Sequence, residues 1–324
     1  MNKIALLTSG GDSPGMNAAV RAIVKTCLFY NIVPIGIRDG YKGMVEGEMY
    51  EMKYSDVDNI IHTGGTILGS SRCLEFKNQE TRKIAIDNLT KNGVEGLIVI
   101  GGDGTFTGAS ILSEEMGIPV IGIPGTIDND IYGTDHTIGY DTALNTVIEA
   151  IDKIRDTASS HHRIFFIEVM GRHAGFIALN AAVASGAESV LIPEEIPNLN
   201  QIVAQIQHQN KGKRSSIIIV AEGEQEGGSI ELINKVSPML EGYDLRPTVL
   251  GHIQRGGNPS AFDRILATRM GSFAVELLLD GQNGIMIGCE GDKLITTSLE
   301  TAVKLHNTPD LERLKLLKKM LTRH

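Results

Sequence analysis

Short apolar runs recur along the chain, each closed by glycine or a polar turn and followed by a helical pattern. Ile4-Ala5-Leu6-Leu7, Gly96-Leu97-Ile98-Val99-Ile100 and Pro119-Val120-Ile121-Gly122-Ile123 read as buried strands that open into turns. The spacing predicts strands over 4–8, 33–37, 96–100, 119–123, 164–169, 189–192, 217–221, 248–251 and 285–288. Helices are predicted over 16–29, 78–92, 105–116, 140–156, 174–185, 199–210 and 260–280. This alternation is that of an α/β protein with mostly parallel sheets covered by helices on both faces. The tail puts Leu311, Leu314, Leu317 and Leu321 on one stripe, which predicts a helix docked on the body. A domain boundary is expected near Gly139, where the first set of strands is complete. The stretch 256–300 lacks strands enough for its own sheet and is expected to return to the first domain. The division is then 1–138 plus 256–300 for a larger domain, and 139–255 plus 301–324 for a smaller one.

Composition narrows the classes. With 324 residues, 42% of them apolar, the chain can bury one large or two medium cores. No apolar run is long enough to span a bilayer, and no signal peptide is read ahead of the first strand, so the protein is expected in the cytoplasm. Cys27, Cys73 and Cys289 are far apart and form no CxxC pair, which fits reduced thiols rather than a disulfide framework or a zinc site. The net charge of −9 argues against a nucleic-acid binder. It makes any local concentration of arginine more informative.

Glycine-rich turns at the strand ends carry the candidate chemistry. Thr8-Ser9-Gly10-Gly11-Asp12-Ser13-Pro14-Gly15 joins the first strand to the first helix. Backbone can approach a polyphosphate there, and a helix N-terminus favours an anion. It is not a P-loop, because Met16-Asn17 stands where Lys-Ser/Thr belongs, and Thr107 prevents Gly102-Asp103-Gly104 from completing a GxGxxG. Gly101-Gly102-Asp103-Gly104-Thr105 and Pro124-Gly125-Thr126-Ile127-Asp128-Asn129-Asp130 each follow a strand and hold carboxylates. Singly, each turn is equally a tight βα connection; their recurrence at strand ends points to a ligand crevice. Asp103 is placed to hold Mg²⁺, directly or through water. Asp128 and Asp130 offer a proton acceptor and metal support, or an Asx-rich turn alone. The set suits phosphoryl transfer.

The basic positions lie further on. Met170-Gly171-Arg172-His173-Ala174-Gly175 follows the strand 164–169, and Leu250-Gly251-His252-Ile253-Gln254-Arg255-Gly256-Gly257 follows Thr248-Val249. Arg163 and Arg246 are read as lying just before these two strands. Four arginines and a histidine beside glycines in an acidic protein form a candidate phosphate clamp. His161-His162 is read as exposed or capping, not as a metal site.

LTSGGDSPGMNAAVR (7–21), GGDGT (101–105), PGTIDND (124–130), VMGRHAG (169–175) and GHIQRGG (251–257) together resemble the bacterial ATP-dependent 6-phosphofructokinases. The resemblance covers nearly the whole chain and is weakest over 224–245 and the last twenty-five residues. It implies two Rossmann-like three-layer α/β/α domains, the larger binding ATP and the smaller the sugar phosphate, with the active site in the cleft between them. It implies transfer of the γ-phosphoryl of Mg·ATP to the 1-hydroxyl of fructose 6-phosphate, the committed step of glycolysis, in a homotetramer. By the same resemblance Asp128 is the general base, with Arg72, Arg172 and Thr126 in the catalytic set. Asp103 and Asp130 serve Mg²⁺. Gly11, Arg72, Cys73, Gly102, Asp103, Gly104 and Thr105 bind ATP. The sugar phosphate falls to Thr126, Ile127, Asp128, Met170, Gly171, Arg172, Glu222, His252, Ile253, Gln254 and Arg255, with Arg163 and Arg246 from a neighbouring subunit.

An effector site for ADP or GDP against phosphoenolpyruvate is implied at Arg21, Lys25, Arg155, Gly186, Glu188, Lys211, Lys213, Arg214 and Ser215. Tyr54 departs from the arginine of some members, Ser215 from a histidine, and Phe176 from a common aspartate. Glu224 and Glu226 add acidity near the sugar site with no role legible in the sequence. Gly104 and Gly125 point to ATP, since pyrophosphate-using relatives carry aspartate and lysine there. The alternatives are a pyrophosphate-dependent enzyme and a non-catalytic sensor of sugar phosphates or nucleotides.

Overall fold

The computed structural model describes residues 1–115, 117–161, 163–209 and 215–321. The chain falls into two compact units. Unit 1 comprises 1–127, 131–142 and 255–307, and unit 2 comprises 128–130, 143–254 and 308–324.

In unit 1 the chain runs β1 (Lys3–Thr8), α1 (Met16–Phe29), β2 (Val33–Ile37), α2 (Gly40–Glu46), β3 (Met49–Glu51), α3 (Gln79–Lys91), β4 (Gly96–Gly101), α4 (Asp103–Glu115) and β5 (Val120–Pro124). Unit 2 holds most of α5 (Tyr140–His161), then β6 (Arg163–Val169), α6 (Phe176–Ser185), β7 (Ser189–Leu191), α7 (Leu199–Gln209), β8 (Ser216–Ala221), α8 (Gly228–Val236) and β9 (Asp244–Val249). The chain then adds α9 (Ala261–Leu279), β10 (Ile285–Glu290), β11 (Lys293–Ser298) and α10 (Leu299–Lys304) to unit 1, and α11 (Glu312–Leu321) to unit 2.

The unit 1 sheet has the order β11-β10-β5-β4-β1-β2-β3, parallel except for its two edge strands. Strand period sorts the side chains. Ile4, Leu6, Ile98, Ile100, Ile121 and Ile123 pack on α1 and α9, while Ala5, Leu7, Leu97, Val99 and Val120 pack on α2, α3, α4 and α10. The result is three layers. Unit 2 repeats the plan with a four-stranded parallel sheet, β7-β8-β6-β9. Ile164, Phe166, Ile218 and Val220 face α7 and α8, and the intervening Phe165, Ile167, Ile217 and Ile219 are buried too.

Several expectations shift. The last strand of unit 2 begins at Asp244 rather than at 248, so Arg246 lies within it, opposite Phe165. Arg163 is the first residue of β6 rather than the residue before it. After the short excursion of 128–130 into unit 2, the main crossing falls at 142/143, and 301–307 lies with unit 1, where α10 packs on α4. The tail does form α11, which packs on α6. No helix among the described residues is long and apolar enough to cross a membrane.

Candidate active site

In unit 1 the chain leaves β1 toward β2 on one side and returns through β4 to β5 on the other. β1 and β4 are adjacent, so their C-terminal ends flank a topological switch point, where open α/β sheets bind ligands. Three loops meet there. Ser9 N–H donates to the Ile100 carbonyl at 3.0 Å, and Gly125 N–H to the Gly101 carbonyl at 2.9 Å. A Cβ on Gly101 would collide with the Ser9 carbonyl and the Thr105 hydroxyl, so only glycine lets the loops close this tightly.

This loop cluster ends in unused polar atoms. Ser13 Oγ, Asp103 Oδ1 and Thr105 Oγ1 are buried with no hydrogen-bond partner among the described residues. Asp103 opens α4, and Gly15 caps α1 with no side-chain hydrogen bond, so helix N-termini reinforce an anion or metal–phosphate site. Gly104 is exposed, and a Cβ there would meet nothing within 4 Å. Gly125 is different: its Cβ would stand 3.1 Å from Met16 Cε and 3.2 Å from Ile100 Cγ2. The loop bearing Arg72 and Cys73 is tied in by Ser70, whose hydroxyl donates to the Gly10 carbonyl at 2.5 Å. Arg72 is exposed, and burial is the main cause that pushes the Cys73 thiol up. Arg255 presses on Gly11, and its Nη1 donates to the Asp12 carbonyl at 3.2 Å. Thr126 packs beside Gly102, and its carbonyl accepts from the Thr137 hydroxyl at 2.6 Å. Ile127 is fully buried.

In unit 2, Asp128 is a buried carboxylate, 2% exposed, and Arg172 Nε stands 3.4 Å from its Oδ2. Asn129 holds a left-handed φ of 58°, which turns the chain between Asp128 and Asp130. Arg172 is itself left-handed at φ 52°, an uncommon state for a long side chain and one associated with function. Two features enforce it. Arg172 N–H donates to Glu222 Oε1 at 2.8 Å, and a Cβ on Gly223 would overlap the Arg172 carbonyl. Gly171 precedes it at φ 143°, with the Ala174 carbonyl where a Cβ would go.

His252 and Ile253 are exposed on the turn 251–255 that follows β9. Gln254 on the same turn is fully buried, and its side chain is hydrogen-bonded to backbone. Arg163 and Arg246 share one carboxylate, each placing Nε 2.8 Å from an Asp244 oxygen. Asp244 is absent from the sequence-derived set. The two guanidiniums hold its carboxyl below the usual range, Arg163 contributing most.

Glu224 and Glu226 now have structural roles. Glu224 is buried and accepts from Glu226 N–H and Gly228 N–H, both at 2.7 Å, closing the start of α8. Glu226 pairs with Lys235 at 2.7 Å.

The expected effector residues are drawn from both units. In unit 1, Lys25 donates to the Tyr54 hydroxyl at 2.7 Å and lies 3.9 Å from the ring centroid, so Tyr54 engages the very cation expected to bind an effector. Arg21 is partly exposed on the same helix. In unit 2, Arg155 donates to the Ser185 carbonyl at 2.9 Å and lies 3.9 Å from Glu188. Gly186 between them ends α6 at φ 63°. Ser215 is partly buried ahead of β8, while Lys211, Lys213 and Arg214 lie outside the described residues, as does His162. No group of three or more His, Cys, Asp or Glu side chains placed to hold a metal ion occurs among the described residues.

The profile of the family Phosphofructokinase matches residues 3–278. The chain is 50% identical over 318 residues to "ATP-dependent 6-phosphofructokinase 2" of Bacteroides thetaiotaomicron, covering 98% of both chains. It is 54% identical over 306 residues to "ATP-dependent 6-phosphofructokinase 1" of Thermus thermophilus, covering 94% of both. Among solved structures, phosphofructokinase from Saccharomyces cerevisiae superposes with a TM-score of 0.89 at 38% identity, over 94% of this chain and 45% of the yeast chain.

Proposed function

The chain belongs to the phosphofructokinase family, and on that premise we propose that it is an ATP-dependent 6-phosphofructokinase. The γ-phosphoryl of ATP passes to the 1-hydroxyl of fructose 6-phosphate, giving ADP and fructose 1,6-bisphosphate. The bond from the 1-oxygen to the γ-phosphorus forms, the bond to the β–γ bridging oxygen breaks, and the hydroxyl proton goes to Asp128. The observation that carries this reading is the buried Asp128 carboxylate with the Arg172 guanidinium 3.4 Å away. A carboxylate so placed can accept a proton, and a guanidinium beside it can meet the charge that develops on the moving phosphoryl group.

ATP is assigned to Gly11, Arg72, Cys73 and the 102–105 loop, where the uncapped N-terminus of α1, the N-terminus of α4 and the open face of Gly104 support a polyphosphate. Asp103 fits Mg²⁺: its Oδ1 is buried and receives no hydrogen bond among the described residues. Asp130 is its supporting carboxylate. When bound, the ion neutralises phosphate oxygens and holds them in line. Fructose 6-phosphate is assigned to Thr126, Ile127, Met170, Gly171, Arg172, Glu222, His252, Ile253 and Arg255, with Arg163 and Arg246 serving a neighbouring subunit of a homotetramer. Lys25 with Arg21 and Arg155 with Glu188 are assigned to an effector site for a nucleoside diphosphate or phosphoenolpyruvate. The three cysteines are free, which supports a cytoplasmic setting.

The test is phosphoryl transfer to fructose 6-phosphate with ATP or pyrophosphate as donor, with and without ADP or phosphoenolpyruvate. ATP supports turnover and pyrophosphate does not. Turnover with pyrophosphate alone overturns the donor assignment, and none with either leaves a sensor.

A further inference from the structure

Gln254 is fully buried, and both ends of its amide are used inside unit 2. Oε1 accepts from Met170 N–H at 3.1 Å, and Nε2 donates to the Gly251 carbonyl at 2.9 Å. Met170 is the first residue beyond β6, where the ladders to β8 and β9 have ended at Val169 and Glu168. Its N–H is therefore met by a side chain rather than by a strand. Two residues on, the N–H of left-handed Arg172 is met by Glu222 Oε1. The backbone from Met170 to Arg172 thus hangs from two side-chain acceptors, one following β9 and one following β8.

We propose that Gln254 is a positioning residue for the phosphoryl transfer: it fixes Met170 and so aims Arg172 at Asp128 and at the sugar phosphate. The proposal rests on the kinase reading above. The chemistry requires an amide. One planar group must accept at one end and donate at the other, which neither a carboxylate nor an ammonium can do. A buried N–H left without its acceptor is costly, so the Met170 backbone would move to find another. Gly171 and Arg172 follow directly, and displacement of a charge-stabilising group by a fraction of its own size is expensive in rate.

Gln254→Met keeps the volume and removes both hydrogen bonds. The expected result is a KM for fructose 6-phosphate raised at least about 10-fold and a kcat lowered by about 10²-fold, with the KM for ATP unchanged. A purely structural role would reduce the melting temperature and the active fraction and leave both KM values alone, and that outcome overturns the proposal. Gln254→Glu supplies a second reading. Its protonated carboxyl reproduces the donor and the acceptor, so its activity relative to the parent rises as pH falls. A flat ratio also contradicts the proposal. The parent is assayed alongside: an inactive parent overturns the kinase reading and this inference with it, whereas an active parent matched by Gln254→Met overturns the positioning role alone.

Discussion

Arg172 holds a left-handed backbone while its Nε stands 3.4 Å from Oδ2 of Asp128, a carboxylate only 2% exposed. The two residues are far apart in sequence, and each sits on a strained turn that gives little away by composition. Arg172→Ala is expected to lower kcat by about 10²–10³-fold, the usual loss for one charge-stabilising group. Arg172→Gly should lose as much activity yet melt no lower than the alanine variant, because glycine accepts the positive φ without cost. Steady-state kinetics and thermal melts of the pair separate charge from backbone.

Gly104 and Gly125 differ in what surrounds them, which separates donor choice from folding. Gly104 faces open space in the first turn of α4. Gly104→Asp should therefore melt within about 2 °C of the parent while the KM for ATP rises at least about 10-fold. Gly125→Lys pushes its Cβ against buried Met16 and Ile100. It should cost about 1–3 kcal/mol in denaturant unfolding. A Gly104→Asp enzyme with unchanged ATP kinetics would remove the nucleotide from that loop.

Asp263, fully buried at the start of α9, accepts from Gly139 N–H at 2.9 Å, Thr142 N–H at 2.8 Å and the Thr142 hydroxyl at 2.5 Å. Burial pushes its carboxyl up to about 6 from the ordinary 3.8, against the pull of the three donors. A folded value above the unfolded one means that the protonated form favours folding. The contribution is complete below the unfolded value and is lost as pH rises through about 6. Acidification from about pH 7 to about pH 5 should therefore raise the parent's unfolding free energy relative to Asp263→Asn by about 1 kcal/mol. A pH-independent difference between the two proteins would contradict this.

Glu224 is a structural cap, so Glu224→Ala should cost about 1–3 kcal/mol of stability through two lost backbone hydrogen bonds at α8. Fructose 6-phosphate kinetics below the melting range should not change. A raised KM for the sugar phosphate would instead place this carboxylate in binding.

The sequence made the buried strands and their glycine turns legible because the centre of β1 and the whole of β4 and β5 are apolar runs that a covered parallel sheet accepts. Edge strands hid themselves. β9 reads Asp-Leu-Arg-Pro-Thr-Val and has no buried residue, a pattern tolerated only at a sheet edge, so its first half looked like loop. β3 and β11 are likewise edges with mixed polarity, and α2 and α8 are short helices that begin next to glycines. At the site, residue types pointed to Asp103, Asp128 and Arg172, but not to what holds them. That Glu222 and Gln254 suspend the Arg172 turn, and that Asp244 is shared by two arginines, are contacts between distant segments. No local pattern records them.

Asp128 is proposed to remove the proton from the acceptor hydroxyl. Its most direct test is Asp128→Ser, with kcat measured in the ATP-driven reaction and fructose 6-phosphate binding measured by calorimetry on the same preparation. The expected kcat is lower by about 10²–10⁴-fold, with the sugar dissociation constant within about threefold of the parent. An Asp128→Ser protein that turns over near the parental rate would contradict it.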